Sequence, residues 1–169
     1  MLEDLGNLGD FLGGIGVVVT LVYLAIQIRR NTAQVQQNTK AVSAAAHNSL
    51  TENLHLYNSQ MISSDSVAAL IIKADHGFTN LSDTEGMRFL AMSSSMFRIF
   101  ENIFHHHQAG LLTDEQWRGW RQLLIHNLRR SQGHRDFWRD GKAVFTGDYQ
   151  LVIDSILAES EDTDDSPAV

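Results

Sequence analysis

Cysteine is absent from the chain, and the only proline is Pro167. The first absence excludes disulfides and thiolate metal sites. The second leaves no helix interior open to breakage by proline, which favours long helices. No stretch alternates apolar and polar residues convincingly with period two, so strands are not expected. Without strands, no glycine-rich phosphate loop has a place to sit, and no nucleophile elbow or Ser-His-Asp order appears. Nor is there a basic patch interleaved with aromatics, so nucleic acid is not an expected partner.

Positive charge is also scarce, with 13 basic against 20 acidic residues and a net charge of −7. The imbalance is local. Three acids (Glu3, Asp4 and Asp10) precede Phe11, and five fall between Glu159 and Asp165, which leaves the stretch between at net +1. The body of the protein is close to neutral and its ends are acidic.

What the chain does have is one long apolar run, Phe11 to Ile28, reading FLGGIGVVVTLVYLAIQI. Of its 18 positions, 11 are Phe, Leu, Ile or Val, none is charged, and only Thr20 and Gln27 are clearly polar. As a helix it spans roughly 27 Å, close to the thickness of a bilayer core. Those 11 side chains contribute on the order of −3 to −5 kcal/mol toward insertion, partly offset by three glycines and the two polar residues. A buried core helix would show a polar stripe, and this run has none. A signal peptide wants a basic start and a small-residue cleavage site, whereas here the start is acidic and the nearest such cluster, Ala44-Ala45-Ala46, lies far downstream. The run is therefore read as a retained transmembrane helix. Arg29 and Arg30 follow it directly, so the positive-inside rule places the C-terminal body in the cytoplasm and the N-terminus outside.

Gly9, just before the span, and Gly13 within it form a small-xxx-small pair, continued by Gly14 and Gly16. Such spacing lets two membrane helices approach closely, although glycine is common in membrane helices anyway. After the span nothing stops the helix through Tyr57. RNTAQVQ and QNTKAVS echo each other seven residues apart and align Ile28, Val35 and Val42. That pattern is either a coiled-coil seam or an amphipathic stalk packing on its own domain.

Five segments are expected: a lead-in over 1–10, the span over 11–28, a helical stalk over 29–60, a helical bundle over 61–158 packing on the stalk, and an acidic disordered tail over 159–169. About 130 residues between the span and the acidic tail suffice for one domain with its own core. In the bundle, Asp65 is the expected N-cap of a short helix from Ser66 to about Asp75, closed by Gly77. Ser82-Asp83-Thr84-Glu85 reads as a capping box opening a helix to about Gln108, ended by Gly110. Met87, Leu90, Phe97, Phe100 and Phe104, flanked by Phe89, Met92, Met96 and Ile103, make this helix apolar over most of its circumference. It is the expected centre of the core. A second capping box, Thr113-Asp114-Glu115-Gln116, opens a helix to about Arg130 that aligns Trp117, Trp120, Leu124 and Leu128. A short helix around Arg135–Asp140 and a last one near Tyr149–Leu157, burying Leu151, Val152 and Ile156 with Tyr149 a further candidate, complete an all-α fold.

The blocks LGDFLGGIGVVVTLVYLAIQIRRNT (Leu8 to Thr32), FRIFEN (Phe97 to Asn102) and AGLLTDEQWRGW (Ala109 to Trp120) make the chain resemble a set of uncharacterised bacterial membrane-anchored proteins. The resemblance covers most of the chain in order. It implies one membrane helix in the bacterial inner membrane with a helical cytoplasmic domain behind it, and it carries no mechanism.

His105-His106-His107 is the most conspicuous polar cluster. Glu101 and His105 lie four apart on one helix face, and His107, His126 or His134 are the further candidates for a metal site. Bundle sites of the carboxylate type use Glu and His three apart in two copies, and zinc needs three or four convergent ligands. Three successive histidines point in three directions, so the reading preferred here is a polar helix end near the last carbonyls. Glu101, set among phenylalanines, is expected to pair with Arg118 or Arg121 from the next helix. The three tryptophans with Arg118, Arg121 and Arg139 read either as a docking surface or as core with one wet edge. The expected function is a membrane-anchored interaction or assembly protein without enzymatic activity or cofactor. Its partners would be the bilayer and either itself or another membrane protein. The alternative is a metal-binding enzyme or sensor.

Overall fold

With no proline before Pro167, helix follows helix along the chain. The computed structural model describes the backbone of Leu2–Asp164 and the side chains of residues 12–159. It contains α1 (Leu2–Ser63), α2 (Asp65–Ala74), α3 (Asp83–Gln108), α4 (Asp114–Arg130), α5 (Gln132–Gly141) and α6 (Gly147–Asp164), with single 3-10 turns at Phe78–Asn80 and Lys142–Val144. Among the described residues there is no strand, and the fold is all-α. The last expected helix runs on past Leu157 to Asp164; the end of the expected tail, 165–169, lies outside the described residues.

The chain divides into two units, Met1–Ala44 and Ala45–Val169. The first is the N-terminal part of α1. Its threonines do not interrupt it, because Thr20, Thr32 and Thr39 each donate their hydroxyl to the carbonyl four residues back, at 2.8–3.0 Å. The second unit begins inside the segment read as a stalk, and Leu50 of α1 is already core.

In the second unit the capping boxes form as the sequence indicates. Ser82 and Glu85 exchange bonds at 3.4 and 2.8 Å, and Thr113 and Gln116 at 3.2 and 2.9 Å. The N-cap of α2 is Ser64 rather than Asp65, because Ser64 is the residue with extended backbone and Asp65 is already helical. α3 buries Phe89, Ser93, Met96, Phe97, Phe100 and Phe104, a stripe at helical spacing. Met87 stands two residues from Phe89, which rotates it about 200° to the far side, and it is 74% exposed. Leu151 is exposed for the same reason, two residues after fully buried Tyr149; the inward stripe of α6 is Tyr149, Ile153 and Ile156. Leu90, one residue round from Phe89, is also exposed at the flank. The core is an aromatic stack. Phe97 lies against Phe137 at 5.3 Å and Trp138 at 5.0 Å, with Phe145 and Tyr149 closing on Trp138.

α2 and α5 meet at backbone distance. Gln132 N–H donates to the Asp75 carbonyl at 3.1 Å, and a Cβ on Gly133 would stand 2.5 Å from the Ala74 carbonyl oxygen and 2.8 Å from Phe89. Only glycine fits. Gly133→Ala is expected to cost about 1–3 kcal/mol by forcing the two helices apart, read as a lower denaturation midpoint with an unchanged slope.

Candidate functional site

Two places hold the chemistry to be explained: the apolar part of α1, and the polar groups gathered around α3. In the first unit the helix is long and apolar enough to cross a membrane, and none of its apolar window is buried. Leu12, Val18, Leu21, Tyr23 and Ile28 all stand 60% exposed or more. Large contiguous apolar surfaces left uncovered on a chain mark sites that meet a partner or a membrane. A Cβ at Gly13, Gly14 or Gly16 would meet nothing within 4 Å, so these positions are open for a close neighbour. The surroundings of Gly9 lie outside the described side chains. Arg29 and Arg30 are exposed and follow the run directly. The one threonine inside it spends its hydroxyl on the Gly16 carbonyl at 2.8 Å, so that donor is satisfied within the helix.

In the second unit Glu101 is buried, at 5% exposure, and its partners differ from those expected. One carboxylate oxygen accepts from Arg98 Nη1 at 2.7 Å, and the other from the Thr146 backbone N–H at 2.8 Å. Arg118 and Arg121 are not involved; Arg121 reaches Glu159 on α6 at 2.8 Å instead. Arg98 also donates to the Val144 carbonyl at 2.8 Å and lies over the Phe145 ring at 4.6 Å. Together Glu101 and Arg98 fasten residues 144–146 onto α3. Burial works to raise the Glu101 pKa, but the Thr146 N–H and Arg98 outweigh it and hold the carboxyl below its usual range. The nearby Tyr149 phenol moves the other way, pushed up by burial and by the Glu101 charge. Glu101→Gln keeps the shape and loses the charge, and is expected to cost about 2 kcal/mol in denaturant unfolding.

The histidines do not gather. His105 Nε2 stands 3.3 Å from Thr146 Oγ1, His106 Nδ1 2.7 Å from the Asn102 carbonyl, and His107 Nε2 2.9 Å from Asp114 Oδ1. The His107 ring also stacks on Trp117 at 5.4 Å. His126 is exposed on α4. Among the described residues no group of three or more His, Asp or Glu side chains is arranged to hold a metal ion. The tryptophans divide as well: Trp138 is buried and donates to Asp154 at 2.8 Å, while Trp117 and Trp120 are half-buried.

His134, which the sequence suggested only as a spare metal ligand, is a buried polar group without an explanation, as are the Ser93 and Tyr149 hydroxyls. It is 7% exposed, its ring stacks on Phe89 at 5.1 Å, and neither nitrogen has a hydrogen-bond partner among the described residues. The signal available in sequence was its place after Gly133, which draws α5 against α2.

The described fold is thus an all-α protein with one helix long and apolar enough to span a membrane. No family model, no curated protein and no solved structure matches the chain.

Proposed function

We propose that this is a membrane-anchored interaction or assembly protein without enzymatic activity, an accessory subunit or a homo-oligomeric scaffold. Residues 11–28 cross the bacterial inner membrane once, with the N-terminus outside and the helical body on the cytoplasmic side, as Arg29 and Arg30 favour. The observation that carries the reading is the length and apolar character of this part of α1, no residue of whose apolar window is buried. Lipid covers most of that surface. The open face at Gly13 and Gly16 supports close packing with a second copy or with another membrane protein.

Crosslinking and native mass spectrometry of the protein extracted from its own membranes in mild detergent test this. The expected result is a carbonate-resistant membrane protein that is oligomeric or holds a partner at fixed ratio, and Gly13→Ile with Gly16→Ile should weaken that association. A strictly monomeric, partnerless protein would overturn the assembly role.

A further inference from the structure

Past the apolar run, α1 carries one line of apolar side chains on an otherwise polar surface. Ile28, Val35 and Val42 follow at seven-residue intervals and stand 65, 57 and 54% exposed. Thr32 and Thr39 lie between them on the same side of the helix. Each donates its hydroxyl to the carbonyl four residues back, at 2.9 and 3.0 Å, so the donor is used within the helix and the methyl adds apolar surface. A repeat of seven falls about 20° short of two full turns. Such a line slides round a lone straight helix and keeps to one side only when the helix winds about a partner helix. The charges keep off this side. Arg30 stands two residues after Ile28 and Lys40 two before Val42, each about 200° round the helix. The flanks, Asn31 and Asn38 on one edge and Gln36 on the other, are neutral amides that both donate and accept.

We infer that Ile28, Val35 and Val42 are the seam of a parallel, in-register pairing with a second copy of this chain. The charge pattern is the one self-pairing requires. No acid lies between Phe11 and Thr51, so two copies meet here with the same positive sign and cannot neutralise each other. Their seam must therefore be uncharged and its edges must match their own kind, as amides do. The inference rests on the membrane-anchored reading above and names the partner it leaves open. An anchor that enters lipid at the same residue and in the same direction in every copy sets two stalks side by side at one height, so Val35 meets Val35. Two heptads are too short to hold helices together from dilute solution. Confinement by the anchors raises the effective concentration enough for a seam of this length to count.

Because the chain has no cysteine, a single introduced one reports on its own neighbours. The test places Val35→Cys, Val42→Cys, Gln37→Cys and Ala44→Cys singly in the full chain and oxidises each in its own membranes. All four positions are exposed, so no variant removes a buried contact. Val35→Cys and Val42→Cys should give about tenfold more product of twice the chain mass than Gln37→Cys and Ala44→Cys on the far side, since a bridge needs Cα atoms within about 7 Å. Adding Val42→Lys to Val35→Cys should abolish that product and leave the chain in the carbonate-washed pellet. Equal bridging at all four positions, no bridging at any, or a mixed product with a different protein would overturn the seam while the chain stays in the pellet and the membrane reading stands. Release of the unaltered chain by carbonate would instead remove the reading on which the seam rests, and the seam with it.

Discussion

Replacing Val19 and Val22 together by arginine is expected to move the chain from the carbonate-washed membrane pellet to the aqueous fraction. Both side chains are more than half exposed, at 62% and 55%, and lie near the middle of the apolar run, so the helical body loses no contact. Each valine contributes up to about −0.6 kcal/mol to insertion, and an arginine at the helix centre costs about 2.5–3.5 kcal/mol. The double change therefore swings the balance by roughly 6–8 kcal/mol, more than the −3 to −5 kcal/mol that the whole run supplies. Central positions matter, because an arginine near either end reaches the interface with its own side chain. Val35→Arg is the control: Val35 is equally exposed, at 57%, but lies past Arg30, and its replacement should leave the partition unchanged. A doubly substituted protein that stays in the pellet after carbonate would sink the membrane assignment.

Acid should destabilise the helical body through His134 before it reaches the carboxylates. Burial pushes this imidazole from an ordinary 6.5 to about 4, although the Asp75 carboxylate and the Asn127 backbone pull the other way. Between those values the unfolded chain binds the proton and the folded one does not. Stability is complete above pH 6.5 and is lost as pH falls toward 4. At 1.36 kcal/mol per pH unit, the loss by pH 4.5 is on the order of 2–3 kcal/mol. Glu101 and Asp154, both held below the usual carboxylate range, contribute only further down, as pH falls below about 4.5. Denaturant unfolding at a series of pH values measures this directly. The slope between pH 6.5 and 4.5 should largely vanish in His134→Phe, whatever that variant's stability at pH 7. A slope that survives the substitution would assign the acid response to other groups.

Much of the architecture was legible because its signals are local. Ser82 with Glu85 and Thr113 with Gln116 mark helix starts by a chemistry confined to four residues, and both boxes close as written. The uninterrupted α1 and the closing glycines Gly77 and Gly110, at φ +100° and +71°, follow from equally short-range rules. What local pattern missed was settled by distant neighbours. Met87 and Leu151 are apolar and sit on amphipathic helices, yet which arc of each helix faces inward depends on where the aromatic stack lies. The partner of Glu101 was sought on the next helix, but residues 144–146 fold back over α3 and bring the Thr146 N–H, which no spacing could announce. His134 is legible in sequence only as a spare candidate ligand, because histidine often is one. Its burial against Phe89 depends on α5 approaching α2 through Gly133, a contact between residues almost sixty positions apart.

The stacked aromatics also give the protein an internal optical reporter. Trp138 is the one tryptophan of three that is fully enclosed, its ring against Phe97 and its N–H held by Asp154, and Phe97 in turn meets the edge of His134 at 6.3 Å. Its emission should therefore sit to the blue of the other two and register disturbance of the acid-sensitive end of the core. The state of that interior can be followed by fluorescence of the purified chain, with no label attached.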